Sequence, residues 1–587
     1  MGVLDWFRGK TSDTTAQFIR EKLAEHVAAR DATAIANVAS ALDGASTMAL
    51  TTTSFSGRDH VRNEVFDALR ALLPDLPHEK RVTVFAQAVL GGALPVDVTG
   101  RREIYDDARR AIAADIAAHV RASIDTASAD QLAATCVRLR ARGQRTVVRG
   151  IEIPRFDSLR EQLELRALER LRTLVPTLEG DAGRRLLLMI RSNNLNIHVG
   201  TRLAELEEQH RAHVQTALAA ISDEPRNAEL EAALDSDDPA AFAVLADWLA
   251  ERDHPRGALI ALQLRAEIDR TLDQDVATHI DDHAIALLGE LAGSRTTHVW
   301  HGEPAFTWKR GFIDAALLTM DEDVSQSPYS LAELLQLLLA HGSARRLREL
   351  RIGVNEVTDA GLAELVEILG ARRPTLRRLV LGDFTPEQSE ISWFSVGSIA
   401  PVWQLPELRE LAVRGADIEL GAIEHAKLER LELETGGLPQ QAARELAAAK
   451  LPSLRHLDVA YGDPDYGGSA ELDDVRALLE RSDFPVLVHL GLKNTTMSDA
   501  ICTLLPRSPL AAQLVELDLS LGTLTSAGAR TLVANKRAFA SVVSIDVSKT
   551  YIDDAAVAQL RAAFPTVIAN ELRRDEGPGQ RYVSAGE

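Results

Sequence analysis

The apolar positions of this chain change their spacing partway along it. Between about residues 14 and 220 they recur every three to four residues: Phe18, Leu23 and Val27; Ile35 and Val38; Val65, Leu69, Leu72 and Leu73; Leu159, Leu163, Leu165, Leu168 and Leu171. That spacing places one apolar stripe on each of a series of helices. Polar starts stand at Ser12-Asp13, Ser56 and Ser128, and breaks at Pro74, Pro77, Pro95 and Pro154. One stripe per helix predicts helix-on-helix packing, a helical bundle or short α-solenoid over residues 1–222. Within it, residues 146–153 alternate β-branched and polar side chains and read as a short hairpin or an extended linker. Residues 223–320 carry three further helical stretches, near 229–234, 242–252 and 258–273, and then a strand-like alternation over 306–318.

Beyond residue 340 the period changes. A six-residue pattern, Leu-x-x-Leu-x-Leu, starts at Leu347, Leu376, Leu408, Leu428, Leu454 and Leu487, again at Leu514, and at Val542 with β-branched substitutes, at intervals of 20 to 33 residues. Each unit predicts one strand followed by a connection or helix. Its apolar face cannot be buried within the unit, so the units must stack. The expectation is an α + α/β chain: the helical part, then an α/β solenoid of leucine-rich repeats over 321–570 with parallel strands on its concave face, then a tail over 571–587.

The module over residues 227–318 contains Leu245-Ala-Asp-Trp-Leu-Ala-Glu-Arg-Asp-His-Pro-Arg-Gly-Ala-Leu-Ile260. This resembles the small repeat-companion module of bacterial proteins, with Asp253-His254 where that module usually has Gly-Asp. Leu381-Gly-Asp-Phe-Thr-Pro-Glu-Gln-Ser-Glu-Ile-Ser-Trp393, Leu433-Glu-Thr-Gly-Gly-Leu438, Asp465-Tyr-Gly-Gly468 and Arg581-Tyr-Val583 are similar to one uncharacterised family of bacterial leucine-rich-repeat proteins over about 320–587. The resemblance implies a repeat scaffold and supplies no catalytic residue.

In such a scaffold the residues between the leucines face outward in lateral columns. One column reads Arg351, Val380, Ala412, Glu432, Asp458, Gly491, Asp518, Asp546; its neighbour reads Glu349, Arg378, Glu410, Arg430, His456, His489, Glu516, Ser544. Glu432, Asp458, Glu516, Asp518 and Asp546 therefore gather on one half of the face. Like charges this close are costly unless screened by water, salt or a partner, so an acidic partner-binding face is weighed against a solvated one. His456 and His489 beside Asp458 offer a second reading, a divalent-metal site in a pathway-associated enzyme subunit, against a plain polar pair. The insertions around 383–393 and 461–468 add Phe384, Trp393, Tyr461 and Tyr466 as partner anchors, with core plugs as the alternative for Trp393 and Phe384.

Composition narrows the function. The 587 residues carry a net charge of −21, with 86 acidic against 65 basic residues, so a nucleic-acid ligand would need a strong local basic surface, and none stands out in the sequence. Two cysteines, Cys136 and Cys502, exclude a disulfide framework and fit a reducing compartment. The longest apolar runs are too short to span a bilayer, and residues 1–10 lack a secretory core, which predicts a cytoplasmic protein without a membrane span. Val3, Leu4, Trp6 and Phe7 are expected to pack on the helical part. No phosphate loop, dinucleotide fingerprint, nucleophile elbow or zincin helix occurs. His279 and His283 lack the glutamate of a zincin helix and read as an exposed helix face, and Cys502 as a core residue. The expectation is a protein-binding scaffold or adaptor that is not an enzyme, with no cofactor, metal or nucleic acid, engaging an unidentified protein partner.

Overall fold

The computed structural model describes residues 124–140, 146–148, 151–153, 157–192, 201–221, 225–294, 297–298, 303–319, 329–353, 362–385 and 388–585, with a few isolated positions and a short stretch near 23–29. The expected helices around Phe18, Ile35–Val38 and Val65–Leu73, and the residues Val3, Leu4, Trp6 and Phe7, lie outside these. Contacts divide the chain into two compact units, 1–177 with 197–199, and 178–196 with 200–587.

In the first unit, α1 (Ala129–Arg140) packs against α2 (Asp157–Leu174), burying Leu132, Cys136 and Leu139 with Leu163, Ala167 and Leu171. Ser128 starts α1: Gln131 N–H donates to the Ser128 hydroxyl while Ser128 N–H donates to the Gln131 side chain, the reciprocal arrangement that satisfies two orphan donors. Between the helices, β1 (Thr146–Val148) and β2 (Ile151–Ile153) pair antiparallel, so the ambiguous stretch is a hairpin.

The second unit starts with α3 (Gly180–Ser192) and α4 (Arg202–Ala220), then α5 (Ala228–Ala233), α6 (Pro239–Ala250), α7 (Pro255–Ala266), α8 (Asp273–Asp282) and α9 (Ala284–Leu288). Contacts tie α4 to the elements that follow it. Val214 and Ala217 of α4 join the same apolar core as Leu287 and Leu335, and His210 and His213 bond to Glu333 and Tyr329 at 2.8 and 2.7 Å. An amphipathic stripe reports that a helix is covered, not by what. In the companion-like stretch, Asp253 takes the left-handed conformation (φ 53°) and the His254 ring accepts the Arg256 N–H. A histidine thus starts α7 where a capping aspartate is usual. Gly257 lets α7 approach α6: a Cβ there would lie 2.6 Å from the Ala246 carbonyl oxygen.

A two-stranded pair, β3 (Thr297–His298) with β4 (Glu303–Pro304), precedes the main sheet. That sheet has eleven strands. It begins with an antiparallel hairpin, β5 (Phe306–Lys309) and β6 (Phe312–Leu318), where the sequence suggested one long strand; Arg310 and Gly311 turn between them, both at positive φ. After α10 (Leu331–Ala340) come β7 (Glu349–Ile352), α11 (Ala363–Arg372), β8 (Arg378–Leu381), β9 (Ser395–Ser398), β10 (Glu410–Arg414), β11 (Ala416–Glu419), β12 (Arg430–Glu434), α12 (Gln440–Ala447), β13 (His456–Gly462), α13 (Leu472–Leu479), β14 (His489–Thr495), α14 (Ser498–Leu504), β15 (Glu516–Asp518), α15 (Ser526–Ala534), β16 (Ser544–Asp546), α16 (Asp554–Ala563) and β17 (Thr566–Ile568). Every pair from β6 through β17 in the main sheet is parallel, and β9 with β11 forms a separate parallel pair.

The register stacks leucine on leucine: Leu350, Leu379, Leu411, Leu431, Leu457, Leu490 and Leu517 are successive partners, continued by Ile545 and Val567. All but the partly buried Val567 are buried with Leu446, Leu478, Ile501, Leu532 and Leu560 from the helices. The shortest interval, Leu408 to Leu428, is too short for a helix and is bridged by β11. Residues 570–585 run back along the strand ends: Arg573 N–H bonds to Thr550, Ser584 N–H to Leu521, and the buried Asn494 side chain bonds both backbone groups of Ala585.

Candidate functional site

The outward columns fall as the leucine pattern requires: Arg430, His456, His489 and Glu516 are successive neighbours, as are Glu432, Asp458, Gly491 and Asp518. Four strands, β12 to β15, thus bring two imidazoles, four carboxylates and one guanidinium together. Lys493, two residues past Gly491 on β14 and on the same face, adds an ammonium.

Gly491 makes room for the arrangement. A Cβ there would stand 1.8 Å from Asp458 Oδ1, so the Asp458 carboxylate leans across the empty position to reach its neighbours. His456 Nε2 and His489 Nε2 each lie 2.9 Å from one of its oxygens, and His489 Nδ1 lies 2.9 Å from Glu516 Oε2. Arg430 Nη1 is 3.1 Å from His456 Nδ1. The two rings stack, centroids 3.6 Å apart and planes 11° from parallel. Lys493 Nζ bridges Asp458 and Asp518 at 3.7 and 3.6 Å.

Donor counting assigns the protons. Arg430 only donates, so His456 Nδ1 accepts and its proton sits on Nε2, facing Asp458. Both nitrogens of His489 face carboxylates, so both donate and the ring is cationic. Burial alone would lower the His489 pKa, but the bonds to Asp458 and Glu516 outweigh it and raise it above the ordinary 6.5. Burial likewise opposes charge on Asp458, yet the two histidines and Lys493 hold its carboxyl well below the usual range. Lys493 is raised by Asp458 and Asp518 against its own burial. Asp518, for which burial dominates, is raised although Ser520 and Lys493 favour its charged form.

The carboxylates that the columns bring together are largely paired within the face. Glu432 pairs with Arg430, Asp458 with three cationic or donor groups, and Glu516 with His489, while Asp518 and Asp546 each accept a backbone N–H two residues on. Glu516 is the open member, its side chain 57% exposed. Among the aromatics, Phe384 and Tyr461 are corrected. Phe384 is buried against Phe394, with the Arg414 guanidinium over its ring, and Tyr461 is buried, which pushes its phenol upward. Both rings lie where the chain departs from the six-residue leucine pattern, and they fill the core there. Trp393 is 63% exposed and Tyr466 partly so.

His456, Asp458 and His489 offer three potential metal-ligand atoms within 4.8 Å of one another. The geometry fits a metal poorly. Parallel stacked rings aim their lone pairs side by side, not at a common point, and Arg430 and Lys493 already supply the positive charge an ion would bring. His279 and His283 stack on each other and bond to backbone carbonyls of Pro255 and His279. Cys136 and Cys502 are buried, and burial raises the Cys502 thiol. The sequence reading missed Lys493; its signal was a lysine at the same parity as His489 on a strand longer than the six-residue template.

No family model matches the chain, and no curated protein matches it. Among solved structures, the chain is similar to a protein from Bacteroides fragilis, a structural-genomics target, at 22% identity and a TM-score of 0.43, over 47% of this chain and 78% of that one. No helix among the described residues is long and apolar enough to cross a membrane.

Proposed function

We propose that residues 347–568 form a leucine-rich-repeat solenoid, companioned by the module before it, whose concave strand face captures a protein partner without covalent chemistry, making the chain a cytoplasmic scaffold or adaptor. The observation that supports this most is the network on β12–β15. Its ionisable groups hold one another in fixed positions on a face that the helices leave open, so a partner meets a preformed polar surface and little ordering entropy opposes docking. Its buried members set the geometry, and the exposed Glu516, with the partly exposed Glu432 and Asp546, offers carboxylates to the partner's basic groups. The network's internal pairing favours recognition over metal-assisted reaction.

A photo-crosslinking amino acid at position 516 tests it in the full chain. The reading expects a discrete adduct with one protein there and none from a probe at Glu251, an exposed residue near the end of α6. Adducts that are the same from both positions, or absent from 516, refute it.

A further inference from the structure

One residue ahead of the outward columns lies a second lateral row. Backbone hydrogen bonds of 2.7 to 2.9 Å link Arg377 N–H to Arg348 O, Arg409 to Arg377, Glu429 to Arg409, Arg455 to Glu429, Val488 to Arg455, Val515 to Val488 and Val543 to Val515. Strands in such a ladder stand about 4.8 Å apart. The row therefore reads Arg-Arg-Arg-Glu-Arg-Val-Val-Val across eight strands, basic at one end and apolar at the other. Along the chain its arginines lie a repeat or more apart, which is why composition hid them.

The charges along this row are unequally answered. Arg348 pairs with Asp237 and Asp314, and Arg409 pairs with Glu429. Arg377 and Arg455 are exposed and, among the described residues, have no carboxylate within ion-pair distance. The nearby Glu407 is bonded to Lys427 at 2.5 Å. Farther along, Val543 is half exposed, and Val488 and Val515 partly so. Like-charged lateral neighbours are destabilising unless compensated, and this row is a positive exception on a chain of net charge −21. An acidic segment is repelled by most of the remaining surface and attracted here.

We infer that this row is a docking strip for an extended, acidic polypeptide segment of a partner, lying across the strands with carboxylates on Arg377 and Arg455 and apolar side chains on Val488, Val515 and Val543. From Arg377 to Val543 the strip spans six strand spacings, about 29 Å, which matches about nine extended residues. The inference extends the capture reading to a second surface. Its residues lie off the outward columns, so either can fail alone.

The test is fluorescence anisotropy with the full-length protein and a labelled ten-residue peptide, half glutamate and half leucine and serine, at low salt, in both orders of its halves. One order binds, with an affinity that falls steeply with salt. Arg377→Glu with Arg455→Glu weakens it at least about tenfold, Val515→Ser weakens it without changing the salt slope, and Glu432→Lys with Glu516→Lys leaves it in place. Absence of binding by either peptide, or equal binding by the double arginine variant, overturns the inference. Equal or tighter binding of a single-stranded oligonucleotide of the same charge, displaced by the peptide, overturns it in favour of a nucleic-acid ligand.

Discussion

The smallest residue of the site sets its electrostatics. Gly491 leaves the space into which Asp458 leans, and Asp458 in turn holds His489 charged. Gly491→Ala forces that carboxylate away, leaving a partly buried imidazolium with one partner fewer. A loss of about 1–3 kcal/mol is expected, the usual cost of an unmet buried polar bond. The pH dependence checks the cause. His489 has its pKa raised on folding, so its contribution to stability is fully present below 6.5 and disappears as pH rises through its folded value. Asp458 has the opposite sign: its contribution is present above 3.8 and is lost as pH falls through its lowered value. Chemical unfolding followed across pH should therefore show a wild-type decline on the alkaline side of 6.5 that is smaller in Gly491→Ala, where only Glu516 still favours the charged ring. A variant with an unchanged decline means that Asp458 does not set the charge of His489.

At the scale of the element, the leucine pattern was enough to place the strands, because a six-residue template with a period-two face specifies both the register and the outward columns. It placed Leu350 on Leu379 and His456 beside His489 without any knowledge of the helices. It could not reach what depends on how a side chain leans: Lys493 bridging two aspartates, or an imidazole tautomer chosen by Arg430. Nor could it tell an insertion's core plug from its surface residue. Phe384 and Trp393 look alike in sequence, nine positions apart in one insertion, yet one is buried and the other is 63% exposed. Phe384→Ala should cost about 3–5 kcal/mol, and Trp393→Ala should stay within about 0.5 kcal/mol in the free protein. Urea unfolding distinguishes them, and equal losses contradict the assignment.

Across the whole molecule, contacts divide the chain near residue 177, and α4 buries Val214 and Ala217 in the core shared with α10. Residues 228–318 and the parallel strands after them fall within the same unit, joined at Asp237, on which Lys309, Arg310, Arg346 and Arg348 converge. The most direct check of partner capture is the affinity of the protein crosslinked at position 516, measured by calorimetry against the wild-type chain and against Glu432→Lys with Glu516→Lys. The capture account predicts affinity at least about tenfold weaker in the variant, which stays folded although it loses the pairs of Glu516 with His489 and of Glu432 with Arg430. Unchanged affinity in a stably folded variant contradicts it.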